Sequence, residues 1–494
     1  MSVFRDLIRP DRWWPLLLVA FVGKLLLLLW MLLEHGTPLF GPWYGFGGDA
    51  LGYLGPIDSL LQGKGYSPDY RMPGYGAPYL LLRAIMDRPA ALQSLVVLQL
   101  AASACAVVVL AKLAHVLTDD LRAFRWTFWL ALIATYASFY DRQILTESFS
   151  VLALTTSAYG GATFLKGAGR GRLLLTGGAI TWLICMKPVY LPALAILAFA
   201  VILQRTVPLL RRTVAVAVLC APFILVDGAW CTRNALVHGE FRPLTDGTIY
   251  PGLRASIRYP LMCLMQAYGT SFTWWDPAAE IRWFNIRYEE EGRTQFPDRQ
   301  APLPAYAYTT GCPEDSLKRI ADEVALYNIS TDTIEKVRLL SSVRGRCDRC
   351  IEYFRQEKPF HYQVTARLRL LRSFLVHSGT SALMAKPFAQ LDPVRMLVRG
   401  FYSLLYLGAI LGGTLWAVRS LFTRTAVPGL RLVSVLLLYG VCIFPLGMRM
   451  TEFRYSTAFY PLALLLAVLS AIASRDAFCG WRAAKRHEQR AIRA

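Results

Sequence analysis

What this chain lacks narrows the reading first. It has no internal repeat, no low-complexity tract and no sustained heptad, which sets aside solenoids, disordered chains and coiled coils. The amphipathic alternation of a soluble fold is largely missing, and apolar residues come instead in uninterrupted runs. There is one CxxC, Cys347-Asp348-Arg349-Cys350, and no second, and neither Cys312 nor His361 stands at a zinc-ligand spacing. A zinc finger is therefore not expected, a thioredoxin-like use has no βαβ context, and outside the cytoplasm a disulfide involving this pair or Cys312 is the simplest outcome. Acid is scarce: 33 Asp and Glu stand against 53 Lys and Arg, a net charge of +20. Such an excess can serve nucleic acid, but many of these cations sit in short segments beside apolar runs. That is the distribution of cytoplasmic membrane loops, and no nucleic-acid partner is expected.

What is present is apolar: 55% of 494 residues. Runs at 13–33, 92–116, 124–140, 144–165, 173–187, 189–204, 213–230, 400–418, 431–447 and 456–474 read as membrane spans. The fold class is an all-α polytopic membrane protein, a bundle of about ten helices within a range of roughly nine to twelve. The first run is too long for a signal-peptide core and no small-residue cleavage site follows it, so it is expected to stay in the mature protein. Arg5, Arg9 and Arg12, then Arg122, then Lys166, Arg170 and Arg172, then Arg205, Arg211 and Arg212, then Arg419, Arg424 and Arg431, and finally the basic tail fall on one side if the N-terminus is cytoplasmic. Both termini are then cytoplasmic in an inner-membrane protein. The loop 34–91, the Asp141-Arg142-Gln143 turn, Lys187-Pro188, region 231–399 and Arg449 to Arg454 face the extracytoplasmic side.

Four segments follow from this topology. Residues 1–230 form an N-terminal membrane module, and 231–399 an extracytoplasmic or membrane-apposed insert. Residues 400–474 are C-terminal spans and 475–494 a basic cytoplasmic tail. In the insert, Pro313–Tyr327 and Ser330–Arg344 have helical spacing, 297–304 reads as a loop, and Phe360–Phe374 is basic and amphipathic, as in helices that lie along a lipid surface.

The chemistry is concentrated in Gly47 to Pro78. Asp49 follows two glycines; it can cap a helix starting at Ala50 or act as a general base, an effect worth roughly 10²–10⁴ in rate. Arg71 stands before Met72-Pro73-Gly74-Tyr75, where proline restrains the preceding residue. Its planar fork suits a phosphate oxyanion, or else a lipid headgroup. Glu147, just inside a span, is costly there and marks a site or a pair with Arg142. Lys187 can snorkel to headgroups or hold a phosphate. Lys24, near the middle of the first span, needs a partner inside the bundle. Arg233 and Arg454 stand where the chain leaves or re-enters the bilayer. Four cations, Arg71, Lys187, Arg233 and Arg454, on one interface favour a phosphate pocket over headgroup contacts alone, with Tyr53, Asp58, Tyr75, Arg142 and Glu147 as candidates to orient substrate.

In chain order, Asp49-xxx-Tyr53, Arg71-x-Pro73-Gly74-Tyr75, Leu145-Thr146-Glu147, Lys187-Pro188, Arg233-Asn234 with Gly239-x-Phe241-x-Pro243, and Arg454-Tyr455 with Pro461 make a pattern. It resembles the GT-C superfamily of membrane glycosyltransferases, within it the branch of protein O-mannosyltransferases and the lipid A aminoarabinose transferase. The likeness covers the first 245 residues or so and the last span, not region 250–395. It implies a GT-C helical bundle with extracytoplasmic surface helices in the first loop and a mostly helical insert. It also implies transfer of a sugar, with inversion, from a polyprenyl-phosphate donor to a lipid, glycan or protein acceptor. Asp49 takes the place of the family's catalytic acid and Arg71 that of a basic residue before proline. Many relatives carry Asp-Glu where this chain has Asp49-Ala50, so a divalent cation bridged by adjacent acids is doubtful and no obligatory cofactor is expected. Two rivals are a lipid-carrier flippase, which would more often show inverted repeats, and a non-catalytic envelope-assembly protein.

Overall fold

The computed structural model describes residues 9–493 apart from 47, 70, 245–254, 271–304, 378, 380–382, 385, 387–389 and 425. The expected loop at 297–304 lies outside the described residues. Among those described there is no strand, and seventeen α-helices follow in order. They are α1 (Trp13–Glu34), α2 (Ala50–Leu61), α3 (Gly76–Arg83), α4 (Arg88–Thr118), α5 (Leu121–Ile133), α6 (Thr135–Ser138), α7 (Glu147–Leu165), α8 (Gly171–Met186) and α9 (Leu191–Ile202). The chain continues through α10 (Leu209–His238), α11 (Arg258–Tyr268), α12 (Glu314–Ile329), α13 (Thr333–Glu357), α14 (Ala366–Leu375), α15 (Pro393–Phe422), α16 (Pro428–Cys442) and α17 (Tyr460–Arg493). Helices occupy every run expected to span. Six are long and apolar enough to cross a membrane: α1, α4, α10, α15, α16 with its π-helical extension to Gly447, and the first 22 residues of α17. The chain is thus a helical protein of the kind embedded in membranes.

The helix ends follow local chemistry. The Asp87 carboxylate accepts the Ala90 N–H at 2.9 Å and Pro89 stands in the first turn, so α4 starts at Arg88. Gly239, in the left-handed region at φ +69°, closes α10. That helix runs on to His238, so Arg233 stands on its last turns and not in a loop. The run expected to span 124–140 is broken: α5 ends at Ile133, Ala134 is extended, and only α6 and a 3₁₀ turn to Asp141 follow. The break leaves the Ala131 carbonyl without its helical donor. Lys24 fills that place, donating to Ala131 O at 3.0 Å and to Ser138 Oγ at 2.8 Å. The lysine expected to need a partner inside the bundle therefore holds a helix end.

The chain divides into two compact units. Met1–Gly247, His377–Gly440 and Ser456–Ala494 form the first. Its centre is α4, whose most apolar window is 72% buried against 22% for α10 and 28% for α15. A helix apolar all round must be covered on all sides, and α4 packs on α1, α5 and α7. Thr248–Val376 with Val441–Tyr455 form the second unit. Here α11, α12 and α13 bury Leu261, Met265, Ile320, Val343 and Phe354 in one core. Cys312 and Cys350 are disulfide-bonded, while Cys347 is buried and reduced.

Candidate active site

Asp49 immediately precedes α2 but does not cap it. Its backbone is helical (φ −90°, ψ −8°), not the extended form a capping residue takes, and its side chain makes no cap hydrogen bond. The carboxylate turns to Arg71, whose Nη2 donates to Oδ1 at 2.7 Å, with the two side chains 27% and 18% exposed. Tyr53 is one turn along α2 from Asp49 and so on the same face, and the central carbon of the guanidinium lies over its ring, 4.2 Å from the ring centre. Tyr66 Oη donates to the Arg71 carbonyl at 2.9 Å and fixes the backbone there. Acid, cation and aromatic ring thus come from 23 consecutive positions.

The loop then presses on the end of α8. A Cβ on Gly74 would stand 2.6 Å from the Cys185 carbonyl carbon and 2.7 Å from Met186 N, so only glycine permits this approach. Trp182 Nε1 donates to the Gly74 carbonyl at 2.9 Å. One residue beyond Met186, Lys187 is extended (φ −146°, ψ 95°), as a residue before proline is obliged to be. Its ammonium donates to Glu147 Oε1 at 2.9 Å, and the side chains are 9% and 2% exposed. Glu147 is the first residue of α7, where the helix dipole favours an acid. Its Oε2 is buried without a hydrogen-bond partner among the described residues. Tyr75, Phe149 and Trp182 form a ring-to-ring path at 5.8 and 5.2 Å that joins the loop to this pair.

Arg233 is reached through the same loop. Its Nη1 donates to Asp69 Oδ2 at 2.6 Å and its Nη2 to the Tyr66 carbonyl at 3.1 Å, and His238 Nε2 lies 2.5 Å from the same Asp69 oxygen. Burial raises the Asp69 carboxyl, but the hydrogen bonds from Arg233 and His238 outweigh it and hold it below its ordinary value. Asp69 and His238 are 169 residues apart, and nothing in either local sequence announces the pair.

The other residues singled out in the sequence have partners within the protein. Asp58 accepts from Tyr79 Oη at 2.9 Å and pairs with Arg88 at 3.4 Å, so it ties α2 to α3 and α4. Tyr75 is fully buried and donates to Gln99 Oε1 at 2.6 Å, while Gln99 donates to the Asp141 and Gln143 carbonyls. Burial takes the Tyr75 hydroxyl well above its ordinary value. Arg142 contacts Thr37 Oγ1 at 3.4 Å, and Glu147 has Lys187 as its ionic partner instead. Arg454 belongs to the second unit, where it pairs with the nearly buried Glu452. Asp141, only a turn residue in sequence, is buried and accepts from Ser148 Oγ at 2.7 Å. Burial pushes its carboxyl up against the opposing pull of Lys24, Ser148 and Ser103. Among the described residues no group of three or more His, Cys, Asp or Glu forms a metal-holding cluster.

The chain matches no protein-family model, no curated protein and no solved structure.

Proposed function

We propose that the protein is an integral-membrane glycosyltransferase of GT-C type that moves a sugar from a polyprenyl-phosphate donor to an extracytoplasmic acceptor. The observation that carries this reading is Asp49, withdrawn from capping α2 and held at 2.7 Å by an arginine stacked on Tyr53. A carboxylate beside a cation, at the mouth of a loop between apolar helices, supplies both halves of a displacement at a phosphorylated carbon. Asp49 takes the proton of the acceptor hydroxyl. The hydroxyl oxygen bonds to the anomeric carbon from the face opposite the phosphate, the carbon–oxygen bond to the phosphate breaks, and its electron pair leaves with the polyprenyl phosphate. Arg71 turns from the carboxylate to the departing phosphate and stabilises that charge. Lys187 adds positive potential from behind the loop, and Glu147 Oε2 accepts a hydrogen bond from a sugar hydroxyl. Arg233 secures the loop through Asp69.

The count of about ten crossings and the cytoplasmic termini belong to the same reading and rest on the basic segments between spans. Mass spectrometry of envelope glycolipids and glycans tests it in cells that carry the protein, lack it, or carry Asp49→Asn. One sugar modification should vanish in the last two alike. Unchanged glycans in all three would end the assignment.

A further inference from the structure

The motif that the transfer chemistry leaves unused is the basic stretch around α14. From Lys358 to Leu391 the chain contains no Asp or Glu, while Lys358, Arg367, Arg369, Arg372 and Lys386 are all present. The helix buries Ala366, Leu370 and Phe374 within the second unit. On its other side Phe360, Val364 and Leu368 are 66%, 39% and 56% exposed, spaced by four. In an α-helix a four-residue step overshoots one turn by about 40°. His361–Thr365 form a π turn, whose hydrogen bonds span five residues, so that a four-residue step there falls short and rotates the row back. The three apolar side chains therefore stay in one line, and exposed Arg372 continues it.

The cations beside the row are held in place, exposed Arg369 among them. Arg367 donates to the Leu446 carbonyl, and Arg369 lies 3.9 Å over the Tyr306 ring. Arg449 lies 3.8 Å over the Tyr362 ring and donates to the Tyr362 carbonyl at 2.9 Å. These contacts hold positive charge against the row without neutralising it, because none of the acceptors is an acid.

We infer that this face is a lipid-docking surface: the row from Phe360 to Leu368 enters the headgroup region of an anionic leaflet, and Arg369 and Arg372 meet its phosphates. An apolar line flanked by cations and free of acids has the complement of an anionic lipid surface, since each acid would repel the headgroups and each exposed aliphatic gains by leaving water. The proposal does not depend on the transferase reading, because it concerns lipid contact and not turnover.

The test uses the full chain in bilayers of equal phosphatidylcholine and phosphatidylglycerol, with a benzophenone amino acid placed at 364, at 368 and, as a control, at the exposed position 338. After irradiation, mass spectrometry counts lipid adducts. Positions 364 and 368 should yield lipid adducts enriched in phosphatidylglycerol, and 338 should yield few. Arg369→Gln and Arg372→Gln should each lower the enrichment about fivefold. Adducts to protein in place of lipid, equal labelling at 338, or enrichment indifferent to both substitutions would overturn it.

Discussion

Replacing Asp49 with Asn should do two opposite things at once. The amide keeps the side chain's shape but cannot take a proton, so turnover should fall by about 10²–10⁴. The same change should tighten donor binding. In the resting protein the Asp49 carboxylate occupies Arg71 at 2.7 Å, and a donor phosphate has to displace it. A hydrogen bond between charged partners is worth roughly 1.5–3 kcal/mol. Partial exposure of this pair puts the competition at the low end, about 1–2 kcal/mol. Without the carboxylate, polyprenyl monophosphate should bind about fivefold to thirtyfold more tightly, and Arg71→Gln should bind it more weakly than wild type. Equilibrium binding to the protein in nanodiscs, beside a transfer assay on the same preparation, reads both effects. Near wild-type turnover would remove Asp49 as the base. Affinity unchanged or reduced in a folded Asp49→Asn protein would show that the carboxylate and the phosphate do not compete for Arg71.

Other consequences are structural. Gly74→Ala puts a methyl group within 2.6 Å of the α8 backbone, so it should cost about 1–3 kcal/mol and be seen as a lower melting temperature with slowed transfer. Glu147→Gln or Lys187→Met leaves one buried charge without its partner, at about 3–5 kcal/mol each. The double variant should recover most of that in a double-mutant cycle, and additive losses would refute the pairing. Asp69 has a folded pKa below its unfolded value of 3.8, so the stability it contributes is complete above that pH and is lost as pH falls through the folded value. The melting difference between wild type and Asp69→Asn should therefore be full near neutrality and vanish in acid.

Much of the architecture was legible from composition. Uninterrupted apolar runs mark where helices form because a bilayer tolerates few alternatives, and each of the ten runs contains a helix. The break after Ile133 was not legible: no proline or glycine marks it, and it is held by Lys24, over 100 residues away. At the site, local grammar went as far as naming Asp49 and Arg71, while their sequence alone left capping and catalysis open. The backbone angles at Asp49 set aside the cap. Tyr75 and Asp58 were legible only as polar loop residues, and their partners Gln99, Tyr79 and Arg88 are brought to them by the packing of α3 and α4. Arg233 was legible as a cation at the surface, but its anchor, Asp69, depends on where α10 ends.

Cleavage of the bond to the lipid phosphate is what separates sugar transfer from lipid transport. Its most direct measurement uses the wild-type protein and Asp49→Asn in sealed vesicles, supplied with a doubly labelled polyprenyl-phosphate sugar and a crude acceptor fraction of the envelope. Wild type should release one free polyprenyl phosphate for each sugar transferred, and Asp49→Asn none. Passage of the intact sugar-lipid from one leaflet to the other, with no free carrier formed, would contradict it.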